Sequence, residues 1–146
     1  MKNTILLLLL FTLACKQKPK TIIPAWIPYD ESKELAENAD NESIKLRFKL
    51  IQSRILDKNE IWKNVSDQII YFSEKDYQKL KPLILEQDIP TIQWHIQSGH
   101  LSYETLTQWY LYRIVKYEND KDKYLNNIIA INPGAVDEAR KRDKNK

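Results

Sequence analysis

From Asp30 onward the apolar residues recur at helical spacing almost without a break, and this periodicity is the strongest constraint on what the chain can fold into. Asp30 is placed to cap a weak helix over Glu31 to Ala39. Ser43 is placed to cap a stronger one, whose apolar positions Ile44, Phe48, Ile51 and Ile55 fall on one face of a 3.6-residue period. Asp57 and Asn59 interrupt the pattern, and Trp62, Val65, Ile69 and Phe72 resume it. Ser73 with Asp76 approximates a capping box ahead of Tyr77, Leu80 and Ile84. Pro82 should kink or restart that helix, because it has no N–H to donate and its ring crowds the preceding turn. Pro90 and Gly99 frame a further short helix containing Trp94.

Ser102 then opens the longest helix, with Leu106, Tyr110, Ile114 and Tyr117 as its stripe and Trp109, Leu111 and Val115 broadening it. So wide a stripe implies burial on more than one side. After the polar break at residues 119–122 comes an apolar run at 125–131, whose β-branched Ile128, Ile129 and Ile131 favour a strand, although a helix fits so short a run as well. Asn132 as a cap and Pro133 in the first turn start a last helix. It buries Ala135, Val136 and Ala139, and its Arg140, Lys141 and Arg142 complement the helix dipole. The expected fold is mainly α: a helical array with one short isolated strand near 125–131. Such a strand has no partner elsewhere in the chain, and its backbone groups would go unpaired.

The N-terminus reads MKNTILLLLLFTLAC, with Lys2 followed by an apolar run from Ile5 to Leu13. That run is too short to span a bilayer, which takes about twenty residues, and it has the length of a secretory h-region. A small residue, Ala14, stands directly before the only cysteine, Cys15, and a polar KQKPK follows. This arrangement resembles a bacterial lipoprotein lipobox. The resemblance implies that residues 1–14 are a signal peptide, that Cys15 is the lipidated first residue, and that the product is exported and anchored to a membrane. Residues 15–29, with three prolines between Lys16 and Tyr29, read as an extended tether. Ile22, Ile23, Trp26 and Ile27 are too apolar for a purely solvated linker, so the end of the tether is expected to dock on the helical part, residues 30–146.

The chain has two glycines and a formal net charge of +3. Two glycines cannot build a phosphate-cradling loop or a glycine-lined catalytic turn. The small net charge, with acids and bases interspersed, gives no footprint for nucleic acid. His95 and His100 flank a helix end and are not expected to share a face, and no Cys or carboxylate cluster joins them, so structural or surface roles are expected. Ser102 reads as a cap rather than a nucleophile. Arg113, on the apolar side of its helix, is expected to pair with an acid. The aromatics Trp94, Trp109, Tyr110, Tyr112 and Tyr117 interleave with Arg113 and Lys116 at helical spacing, which points to core or pocket packing. These readings assign no catalytic residue, no cofactor site and no metal ligand.

The stretch from Gly99 to Asp143 resembles the N-terminal part of the amidase signature family, serine hydrolases that cleave carboxamides. The resemblance rests on Gly99, Leu101, Ser102, Leu106, Tyr110, Leu111, Arg113, Ile114, Leu125, Asn126, Ala139 and Asp143. It implies an α/β fold in which the 125–131 strand joins a large mixed sheet, and an acyl-enzyme chemistry run by a Ser-Ser-Lys arrangement. The sequence has no Gly/Ser-rich segment, and no Lys-Asp motif follows the matched stretch, where the family carries its catalytic lysine. The chain therefore reads as the leading helical part of an amidase-type hydrolase, inactive alone, with a second polypeptide as a candidate carrier of the catalytic part. The alternative is a self-sufficient small helical lipoprotein that acts as a periplasmic or surface interaction module.

Overall fold

A computed structural model describes residues 18–48, 57–120 and 122–145. Cys15, Ile51 and Ile55, and with them the signal-peptide and lipidation readings, lie outside these residues. The protein is mainly helical: α1 (Ser32–Glu37), a 3-10 turn (Ile44–Arg47), α2 (Lys58–Ser66), α3 (Glu74–Ile84), α4 (Ile89–Gln97), α5 (Tyr103–Glu118) and α6 (Ala135–Lys144).

Local side-chain chemistry starts α2, α3, α4 and α5. Asp57 accepts from the N–H of Asn59 to start α2. Ser73 and Asp76 form a reciprocal capping box on α3, Asp88 accepts from the N–H of Thr91 on α4, and Ser102 exchanges bonds with Thr105 on α5. Each side chain satisfies a donor that the first helical turn leaves without a partner, worth about 1 kcal/mol. α3 runs through Pro82 and ends soon after, at Ile84, so the missing donor falls in its final turns and no new helix starts there. Gly99, at φ +79°, turns the chain after α4, which lets the N–H of Leu101 return to the carbonyl of His95 at 3.0 Å.

α5 runs through the middle of the molecule and packs against α6 on one side and α3 on another. Trp109, fully buried, stacks on Tyr77 of α3 with ring centroids 4.9 Å apart, and its indole N–H donates to the Tyr77 carbonyl at 3.0 Å. Around this pair close Ile61, Trp62 and Val65 of α2, Ile69 and Phe72 of the following turn, Ile84, Ile96, Leu101, Leu111, Val115 and Val136. The turn from α2 to α3 is fixed to both α5 and α6. Gln68 accepts from the N–H of Val136 and donates to the carbonyl of Asn132, while Gln108 donates to the Gln68 carbonyl.

Four expectations need correction. Residues 125–131 form no strand, and no strand occurs among the described residues. The segment is irregular, with Asn126 in the left-handed region at φ +55°. Ile128 and Ile131 pack against the core, while Leu125 and Ile129 are 79% and 76% exposed. With no neighbouring strand to take its backbone groups, the run follows the side-chain anchors open to it instead of an extended ladder. Ile44 to Phe48, expected to open a strong helix, is a single 3-10 turn that ends at an extended Phe48, and both apolar residues face outward. The buried positions of α5 are Trp109, Leu111, Val115 and Glu118, so the residues expected to broaden the stripe are its centre; Tyr110 and Tyr117 are on the rim. The last helix begins at Ala135 with Gly134 as its cap, and Asn132 accepts from the Gly134 N–H in the turn that leads into it.

Candidate functional site

Residues 18–30 take an irregular course across the ends of α2 and α5. Thr21 donates its N–H to the Ile70 carbonyl and its hydroxyl to the Phe72 carbonyl, at 2.6 and 2.7 Å. Asn59 brackets Trp26, accepting its N–H at 2.8 Å and donating to its carbonyl at 3.0 Å. Asn119, which follows α5, donates to the Pro24 carbonyl and accepts from the indole of Trp62. Ile23 and Trp26 are half-buried by this docking, whereas Ile22 and Ile27 remain outside.

Beneath Trp26 lies a buried ion pair. The Lys58 ammonium is 2.5 Å from the Glu118 carboxylate and 3.2 Å from the Glu118 carbonyl, with the rings of Tyr124 and Trp26 over it at 4.9 and 5.9 Å. Both side chains are withdrawn from water, so each charge is held by the other and by π faces. The pair escapes a reading of the sequence because its partners lie far apart in the chain. Helical phase does give a clue: Lys58 is one turn before the buried Trp62, and Glu118 is one turn after the buried Val115.

Several openings flank α5, two of which are larger than about 400 Å³ among those the described residues line. The larger, about 710 Å³, lies where the α2–α3 turn meets α6, and its lining includes Lys18, Asp76, Lys79, Glu104, Asp137 and Arg140. Its charges oppose one another: Lys18 faces Asp76 at 4.0 Å, and Arg140 reaches both Glu104 and Asp137 at 2.8 Å. Asp76 is held below the usual carboxylate range: burial pushes it up, but two bonds from Ser73 outweigh the burial. The second is a groove of about 420 Å³ between α5 and the irregular segment, whose lining includes Tyr110, Arg113, Ile114, Tyr117, Leu125 and Ile128 together with the polar Glu118, Lys123 and Asn127.

Arg113 forms no ion pair with a described carboxylate. Its guanidinium donates to the Tyr77 hydroxyl at 3.0 Å and lies over the rings of Tyr117 and Trp109, at 4.9 and 5.6 Å. Burial raises the Tyr77 hydroxyl above its ordinary value, so it stays neutral and able to accept. Tyr112, raised to about 12 by burial and by its bond to Glu74, is neutral too. Glu74 is held low, first by the Lys116 ammonium at 2.7 Å.

The remaining residues singled out from the sequence are spread over the surface. His95 and His100 come closer than expected, with ring centroids 5.9 Å apart beside Trp94. No group of three or more metal-ligating side chains occurs among the described residues. The Ser102 hydroxyl is taken up by the N–H of Thr105, as a cap. Among the described residues no helix is long and apolar enough to cross a membrane. No family model, no curated protein and no solved structure matches the chain.

Proposed function

We propose that this chain is a non-catalytic helical binding module, exported and held to a membrane through lipid on Cys15, which presents the groove along α5. One observation carries the reading: the segment at 124–132 lies back along α5 and helps to line a groove, while its Ile128 and Ile131 join the same core as α2 to α6. This packing supports a core that closes without a sheet from another polypeptide. The test is thermal unfolding of residues 16–146 followed by circular dichroism. One cooperative transition supports the module; a broad, non-cooperative loss of signal overturns it. Anchoring has a separate test, in which Cys15→Ser releases the protein from the membrane fraction. Unchanged retention would refute lipidation.

The second reading, the leading part of an amidase-type hydrolase, draws on the way the resembling stretch closes on itself. Gly99 holds the positive φ, Ser102 caps α5, and the Asp143 carboxylate accepts from the N–H groups of Tyr103 and Glu104, both at 2.9 Å. The ends of the stretch thus meet. Under this reading catalysis belongs to a second polypeptide, and unfolding of residues 16–146 becomes cooperative only when that polypeptide is added.

A further inference from the structure

Arg113 is a half-buried cation with a fixed orientation and spare donors. A guanidinium has five N–H donors in a planar fork. Here one is used by the Tyr77 hydroxyl, and the plane is steadied by Trp109 and Tyr117. Such a group is costly to leave without an anion, and no carboxylate among the described residues supplies one. The other charges along the groove are neutralised locally. Glu118 is engaged by Lys58 at 2.5 Å, and Lys123 by Asp120 at 2.5 Å. The groove therefore has a net charge of one, located at Arg113. The larger cleft beside α6 differs, since its Lys18 and Arg140 both meet carboxylates.

Apart from Asn127 and the paired Glu118 and Lys123, the rest of the groove is apolar or aromatic. Tyr110, Ile114 and Tyr117 of α5 face Leu125 and Ile128 across it, and Leu125 stands almost fully in water at its lip. Its volume of about 420 Å³ suits a small ligand, not a folded partner. A single fixed guanidinium in an apolar trough is complementary to one anionic head on one hydrocarbon body. It does not suit a polyanion, which needs several cations, or a neutral lipid, which would leave Arg113 unanswered.

We propose that this groove binds an apolar monocarboxylate, its carboxylate on Arg113 and its hydrocarbon against Tyr110, Ile114, Leu125 and Ile128. The proposal rests on the reading of the chain as a binding module and names the ligand class of that module.

The test is calorimetric titration of the full chain in lipid nanodiscs with octanoate, 1-octanol and octylamine, with empty nanodiscs as the reference. Saturable octanoate binding is expected, with octanol at least about tenfold weaker and octylamine weaker still, as fits the loss of a charge-assisted pair. Arg113→Gln should weaken octanoate by at least about tenfold and leave octanol unchanged. Leu125→Asp provides a variant with little risk to folding, because the side chain is outside the core, and it should weaken both ligands. Equal affinity for octanoate and octanol, octanoate binding indifferent to both substitutions, or no saturable binding would each overturn the proposal. So would a groove occupied in solution by a second copy of the chain, seen as a dimer that octanoate does not dissociate. A negative titration on a chain that still unfolds cooperatively removes the carboxylate and leaves the module; non-cooperative unfolding removes both.

Discussion

The two ends of α5 are secured in opposite ways. At its N-terminus everything that holds the helix is in reach of water: the Ser102–Thr105 box, the Asp143 carboxylate on two amides, and the Arg140–Glu104 pair. At its C-terminus Glu118 is buried against Lys58, and Asn119 ties Trp62 and the Pro24 carbonyl together. In water two unit charges at contact distance attract by only about 1 kcal/mol, whereas in a dry site each must have its partner or be strongly destabilising. The same kinds of side chain therefore tune stability at one end and hold the fold together at the other.

The sharpest way to break this contrast is Lys58→Met. It leaves the Glu118 carboxylate buried and unpaired, and urea denaturation should show a loss of about 3–5 kcal/mol. Adding Glu118→Leu should recover most of it, because an apolar pair suits a dry site. A loss under about 1 kcal/mol from Lys58→Met alone would show that water reaches the pair, and the two ends would then be alike. At the other end Asp143→Ala removes the acceptor of two amides of α5 and should cost about 1–2 kcal/mol by the same measurement.

Asn59→Ala tests the docking above the ion pair. Two neutral hydrogen bonds to Trp26 are lost, for about 1–2 kcal/mol in all, and limited proteolysis between residues 18 and 30 should accelerate. Lowering the pH probes the exposed links. Glu74 has its folded pKa held below the ordinary value by Lys116, so its contribution is complete above the ordinary glutamate range and fades as pH falls through the lower, folded value. The loss should appear in urea midpoints below roughly pH 4.5 and be small, since Glu74 is half exposed. The smallest effect belongs to Arg140→Ala, within about 0.5–1 kcal/mol, because both of its ion pairs stand in solvent.

What was legible in the sequence was local. Ser73 and Ser102 announced their helices because a cap and the amide it serves lie within one turn, and Trp62, Val65, Tyr77 and Ile84 announced the core through helical spacing. The failures were cases in which tertiary contacts decide. A stripe as broad as that of α5 leaves the helix rotation open, and only α3 and α6 select Trp109 and Val115 over Tyr110 and Tyr117. β-Branched Ile128 and Ile131 fit a strand equally well as anchors of an irregular segment, and nothing local distinguishes the two. Arg113 was expected to meet an acid. Its neighbours are Trp109 and Tyr117, one turn away on either side in its own helix, and Tyr77 of α3; helical spacing encodes the first two, and only the packing of α3 on α5 adds the third.

The docking of Thr21 and Trp26 also sets a length. A surface that holds Cys15 is six residues from the first docked backbone group, Thr21, a reach of roughly 20 Å at full extension. If Cys15 carries the proposed lipid, a segment whose proline content suggests a long leash would act as a short mount. It would keep the ends of α2 and α5 toward that surface and limit how far the domain can turn on it.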